Sequence, residues 1–231
     1  MIIRFLGQSG YVLETKNNRI MIDPYLSDSV RRLVGRPRLL PIPIHPRDIA
    51  CDAVICTHNH PDHLDPDTAL QIPDKQLFLT TYEGQKRLRE LGKPNVRALS
   101  QKETVTVGDF EVTAVFAAHT VEAFGLVVKA EGMALYFSGD TLFDERLFDI
   151  AAYHPDAAFL CINGRLGNMN TEEALIVANK LGAKYSIPNH YDMFASNSAD
   201  PHLFADHIQG GFIMEFNKPY CFIDSGLKAA N

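Results

Sequence analysis

Thr57-His58-Asn59-His60-Pro61-Asp62-His63-Leu64-Asp65 comes directly after the apolar run Ala53-Val54-Ile55-Cys56, which reads as a buried strand. Five potential metal ligands, His58, His60, Asp62, His63 and Asp65, fall within eight residues. Imidazoles and carboxylates this close desolvate and repel one another unless a cation gathers them. The His-x-His-x-Asp-His order is far more specific than a lone His pair. Zinc, iron and manganese all accept nitrogen and oxygen ligands of this kind. The competing reading is a hydrated His-rich turn.

A metal site needs ligands from several places, and the same pattern recurs at other strand ends. His119 ends the run Val115-Phe116-Ala117-Ala118. Asp140 ends Leu135-Tyr136-Phe137-Ser138-Gly139, and His190 ends Tyr185-Ser186-Ile187-Pro188-Asn189. Asp23 ends Ile20-Met21-Ile22, just before Pro24. Functional loops of α/β folds leave from such ends. Singly, each residue also reads as a satisfied core or turn group; in this order they read as one set.

Between these points the chain alternates. Strands are predicted over 2–6, 11–14, 19–22, 53–57, 77–80, 104–107, 110–117, 125–130, 134–138, 157–162 and 184–187. Phe212 to Phe216 and Tyr220 to Ile223 read as a closing hairpin pair. Helices are predicted over 67–71, 82–91, 143–151, 171–181 and 200–208, with Gly92 and Gly182 as stops. Two β-rich runs, each leading into helices, imply two sheets face to face with helices outside. One domain over 1–231 is expected. Tyr25 to Ala50 stands apart as an irregular loop with five arginines (Arg31, Arg32, Arg36, Arg38 and Arg47) and four prolines; such loops serve as lids or binding loops, or simply as solvated excursions.

Composition narrows the function classes. A length of 231 residues with 46% hydrophobic content supports a full core. The formal charge of −6 argues against general nucleic-acid or anionic-membrane binding. Four cysteines without a CxxC pair read as reduced, which points to the cytoplasm. The apolar start at Met1 is too short for a signal peptide, and no run approaches the roughly 20 residues of a membrane span.

The succession Asp23, His58-x-His60-x-Asp62-His63, His119, Asp140, His190 resembles the metallo-β-lactamase superfamily, over about residues 2 to 224. The resemblance implies an αββα sandwich with the metals at one edge of two mixed sheets. It implies a first ion held by His58, His60 and His119, and a second held by Asp62, His63 and His190. Asp140 would bridge them, and Asp23 would position the ligand loop. Tyr136-Phe137-Ser138-Gly139-Asp140-Thr141 and Ala183 to Phe194, with Asn197 and Asp200-Pro201, are similar to the L-ascorbate-6-phosphate lactonase group.

The resemblance thus implies a metal-dependent hydrolase carrying two divalent ions, zinc or manganese, with iron allowed. A metal-bound hydroxide would attack a small anionic substrate such as a sugar-phosphate lactone, with Asp62 or Asp140 relaying a proton. Arg165 in Asn163-Gly164-Arg165 is a candidate clamp for a substrate anion. Asn163, Tyr191, Asp192 and Asn197 are further substrate-side candidates. No nucleic-acid or membrane partner is expected, and a homo-oligomer is allowed. The alternatives are a metal-dependent phosphodiesterase or nuclease, and a metal-binding protein without catalysis.

Overall fold

The computed structural model describes residues 1–223 and 226–230. Short β-prone runs separated by glycine and asparagine turns form β1 (Ile2–Gly7), β2 (Gly10–Glu14) and β3 (Arg19–Ile22). Helix α1 (Ser29–Val34) is next, then β4 (Ala53–Ile55), α2 (Pro66–Gln71), β5 (Leu77–Thr80), α3 (Tyr82–Glu90) and β6 (Val96–Ala98). The second half holds β7 (Thr104–Val107), β8 (Phe110–Val115), β9 (Gly125–Ala130), β10 (Met133–Phe137) and β11 (Ala157–Cys161). It closes with α4 (Thr171–Leu181), β12 (Tyr185–Asn189), α5 (His202–Ala205), β13 (Pro219–Ile223) and β14 (Gly226–Ala229).

These strands form two mixed sheets, ordered β14-β13-β1-β2-β3-β4-β5-β6 and β12-β11-β10-β9-β8-β7. Strands β3 to β6 run parallel, as do β10 to β12; the hairpin-linked strands run antiparallel. The sheets pack face to face through one apolar core that includes Ile3, Leu13 and Ile22 from the first and Val112, Leu126 and Leu135 from the second. Tyr11 of β2 spans the layers, its ring centroid 5.1 Å from Phe137 and 5.0 Å from Phe159. Each such buried aromatic contributes about 1.5–3 kcal/mol through area removed from water. Helices α2 and α3 cover the outer face of the first sheet through Ala69 and Leu88. Helix α4 packs on β11, with Asn170 and Glu173 forming a reciprocal capping box at its start.

Four expectations change. Phe212 to Phe216 is not a strand, because β13 pairs with β14 and β1. That stretch instead carries the chain between sheets, held by the bond from Phe212 N–H to Ser186 C=O. The helix expected over 200–208 shrinks to one turn in α5. The helix expected near 143–151 is a 3-10 segment, Glu145–Tyr153. Strand β12 runs on to Asn189 through Pro188, which is tolerated because β12 is an edge strand.

The 25–50 segment is more ordered than an irregular loop. Beyond α1 it contains a 3-10 turn at Pro46–Asp48. The Arg38 guanidinium donates to the carbonyls of Leu40 (2.6 Å), Ser27 (2.8 Å), Pro41 (2.9 Å) and Tyr25 (3.2 Å). It also lies 5.0 Å over the Tyr25 ring. One side chain thereby satisfies carbonyls that the missing secondary structure leaves open.

Candidate metal centre

Four strand ends supply the floor of the site. His58, His60, Asp62 and His63 leave β4; His119 leaves β8, Asp140 leaves β10, and His190 leaves β12. The first of these strands lies in one sheet and the other three in the second, so the cluster forms where the two sheets meet at one edge. His58, His60, His119 and Asp140 present ligand atoms within 4.8 Å of one another, and Asp62, His63 and His190 do the same.

In the first group His58 Nε2 lies 3.0 Å from His60 Nδ1, and His119 Nε2 lies 3.2 Å from the same atom. Asp140 joins the groups. Its Oδ1 is 3.2 Å from His63 Nε2, and its Oδ2 is 3.3 Å from His190 Nε2 and 4.0 Å from both His58 and His119. Ligands about 2.1 Å from an ion stand roughly 3.0–3.4 Å apart, so most of these spacings are those of coordination edges.

The tautomers agree with that reading. Thr57 N–H and Oγ1–H each donate to Asp23 at 2.7 Å, which leaves Thr57 Oγ1 to accept from His58 Nδ1 at 3.1 Å. His63 Nδ1–H donates to Asp23 Oδ2 at 2.8 Å, and His119 Nδ1–H donates to the Gly167 carbonyl at 3.0 Å. Each ring therefore turns its Nε2 lone pair into the cluster. A Cβ on Gly167 would lie 2.9 Å from His119 Nδ1, so this close approach needs glycine.

Buried His63 Nε2 and Asp140 Oδ1 face each other at 3.2 Å without forming a hydrogen bond, and among the described residues neither has another partner, which is costly in a completed site. A divalent cation satisfies both, so the donor set fits a metal.

Charge obeys the same logic. Burial first, then the neighbouring His63, holds the His58 imidazole well below its ordinary pKa despite Asp140. Burial also pushes His63 down, but Asp140, Asp23 and Asp62 outweigh it and leave that pKa well above the ordinary value. For Asp140, burial raises the pKa and the adjacent His190 and His63 overcome it, leaving the carboxylate ionised. Without a cation, positive charge gathers on His63 amid three carboxylates; a bound cation takes that place.

A cavity of about 310 Å³ opens above this floor, the size of a small-molecule site. Val30, Val34, Leu166 and Phe194 give it apolar walls, Arg36 supplies a cation and Asn197 an amide.

A family model described as a beta-lactamase superfamily domain matches residues 18–191. The chain belongs to the metallo-β-lactamase superfamily. A UPF0173 metal-dependent hydrolase of Methanoregula boonei is 30% identical, with 90% of each chain covered. One from Oenococcus oeni is 29% identical over 96% of this chain and its own full length (100%). Among solved structures, a possible metal-dependent hydrolase from Veillonella parvula shares the fold with a TM-score of 0.81 at 16% identity, covering 95% of this chain and 98% of its own. An isothiocyanate hydrolase from Delia radicum gut bacteria does so with 0.80 at 21% identity, covering 96% and 99%. The protein is thus a metal-dependent hydrolase of the metallo-β-lactamase superfamily with a His/Asp cluster able to bind metal.

Around that superfamily cluster the structure sorts the remaining candidates. Asp65 is turned away, capping α2 through Asp67 N–H (3.1 Å) and accepting from Ser27 Oγ at 2.7 Å. Asn163 sits behind the wall, donating to Asn197 Oδ1 at 2.8 Å and accepting from Asn168 at 2.9 Å. Arg165 is exposed and does not line the cavity; its neighbour Leu166 does. Tyr191 and Asp192 are not brought to the cluster. His190 takes a left-handed backbone, φ 63°, and sends them into a separate cavity with Phe5 and Phe216. Two site groups went unread in the sequence, Gln8 and, as an individual residue, Arg36. Gln8 ends β1 beside a glycine, the same strand-end signal that marked Asp23.

Proposed function

We propose that this hydrolase uses two divalent ions, zinc or manganese, to cleave a small anionic ester, and that the ester is a lactone of the sugar-phosphate type. The observation that carries the anionic part is Arg36. It is half-buried in the wall of the cavity above the ligand cluster, and among the described residues its guanidinium has no ion-pair or hydrogen-bond partner. Three other arginines of that segment are held elsewhere, and Arg47 is exposed and lies outside the cavity. Arg32 pairs with Asp67 at 2.6 Å, Arg31 with Asp28 at 3.6 Å, and Arg38 staples the backbone. A cation left free beside a metal centre suits a carboxylate or phosphate. The apolar walls suit a compact carbon skeleton.

Held by this donor set, a divalent ion would supply Lewis acidity, lowering the pKa of a water from about 15.7 towards 7 and polarising a carbonyl or phosphoryl oxygen. The chain's own residues do the rest. Asp140 faces both groups and would help to hold an ion in either of them. Asp62 is the more exposed carboxylate, at 17% against 6%, and lines the cavity, so it is the better placed to hold a proton for the leaving alkoxide. Asp23 and Thr57 fix the imidazoles, and Asn197 offers an amide to a substrate oxygen.

The test compares chelator-stripped protein before and after return of Zn²⁺ or Mn²⁺. Substrates are a sugar-phosphate lactone, an uncharged lactone and a simple phosphodiester. Metal-dependent turnover with the highest kcat/KM on the phosphorylated lactone is expected. A preference for the phosphodiester would transfer the protein to the phosphodiesterase class, and a preference for the neutral lactone would remove the anionic reading.

A further inference from the structure

We infer that Gln8 is a protein ligand of the second ion, contributing its side-chain oxygen beside Asp62, His63 and His190. The inference rests on the two-ion reading above. Gln8 lies in the turn between β1 and β2 and is completely buried, at 0% exposure. Its amide nitrogen is placed 2.7 Å from Asp62 Oδ2 and 2.9 Å from His190 Nε2, while its Oε1 has no partner. The amide head therefore stands directly against two metal-facing atoms of the second group, slightly closer than the roughly 3.0–3.4 Å of a coordination edge.

An amide group turns over by 180° without changing its shape, and only its partners decide which end faces where. Asp62 Oδ2 and His190 Nε2 are the atoms that face the ion. With the nitrogen between them, two N–H groups point towards a cation, and a lone pair of His190 is asked to serve both proton and metal. With the oxygen there, a neutral donor completes the set. Oxygen is an accepted ligand for zinc and manganese alike.

The backbone is built to hold this position. Gln8 C=O accepts the N–H of His190 at 2.7 Å, which locks the β1–β2 turn to the loop after β12. Gln8 and His190 both take left-handed backbone, φ 58° and 63°, and so does Asp23 at 43°. Non-glycine residues in that region store strain of the order of 1 kcal/mol or more, and three of them surround one site.

The experiment is a calorimetric titration of chelator-stripped protein with Zn²⁺ and with Mn²⁺, supported by metal analysis after dialysis. The wild type should take two ions. Gln8→Leu, which keeps the volume and removes the oxygen, should take the first ion normally and bind the second ~10–100-fold more weakly, the range seen when groups around a metal site are removed. Gln8→Glu keeps an oxygen at this position and should bind the second ion at least as tightly as the wild type. If the amide instead donates to Asp62, Gln8→Glu would set two carboxylates against each other and lose the second ion, which would overturn the assignment. Two wild-type affinities in Gln8→Leu would overturn it as well. Both of those outcomes leave the two-ion reading standing. A wild type that takes a single ion would overturn that reading and this inference together.

Discussion

The floor of the cavity and its walls are built differently. Each floor ligand stands at the end of a paired strand, where register and sheet packing set its position. The walls come from segments outside the sheets: helix α1 and the rest of the 25–50 segment, residues 164–168, and residues 194–197. Floor residues are buried or half-buried and are tied to one another, as in the Asp23–Thr57–His58 and Asp23–His63 contacts. The wall mixes buried Val30, Phe194 and Asn197 with exposed members, Val34 at 57% and Leu166 at 55%. A rigid floor suits chemistry that needs sub-ångström placement, and a softer wall suits choice among substrates.

The sharpest challenge to this division is Asp140→Ala. Removing the one carboxylate that faces both ligand groups should lower kcat/KM by ~1,000-fold or more, since several kcal/mol of charge stabilisation go with it. Turnover assays paired with metal analysis check this, and a variant with two ions and near-normal turnover would remove Asp140 from the bridge. Asp23→Ala acts one bond further out. Metal affinity should fall ~10–100-fold because His63 loses the partner that fixes its tautomer; unchanged affinity in a metal titration would show that the ring is held by packing alone.

A wall change should read out in KM. Arg36→Ala should raise KM for an anionic lactone about tenfold and leave that for an uncharged lactone unchanged, as expected for loss of one partly exposed charge-assisted contact. Arg165→Ala, outside the cavity, should change neither. The reverse result, with Arg165 mattering and Arg36 silent, would mean that the loop at 164–168 closes over the substrate. The smallest effect is expected far from both regions. Asn170→Ala removes the α4 cap and should cost about 1 kcal/mol, or roughly 2–4 °C in Tm, with kcat unaltered. A loss of activity in that variant would show that α4 and the site are coupled.

The His/Asp cluster was legible because each member carries the same local mark, a polar residue closing an apolar run. Asp23, Asp140 and His190 are separated by most of the chain yet share that mark. The α4 boundaries were legible for a similar reason, since Asn170 and Gly182 are local cap signals. Tyr191 and Asp192 show where local reading stops. They neighbour a ligand in sequence, but one left-handed residue turns them into another cavity. Arg165 fails in the same way, displaced from the cavity by Leu166. Phe212 to Phe216 had strand-like composition, but the chain touches the β12 edge only through the bridge of Gly211 with Ser186 and the bond from Phe212 N–H, and then leaves it.

Composition, periodicity and strand-end chemistry were enough to establish the two-sheet sandwich and its cluster of histidines and carboxylates. These are properties that neighbouring residues encode together. Only the tertiary structure decided that Gln8 meets Asp62 and His190, that Arg36 is the arginine of its segment that lines the cavity, and that Asp65 faces away. Each of those contacts joins positions far apart in the chain, and a side chain's partner across such a distance is set by how the sheets pack.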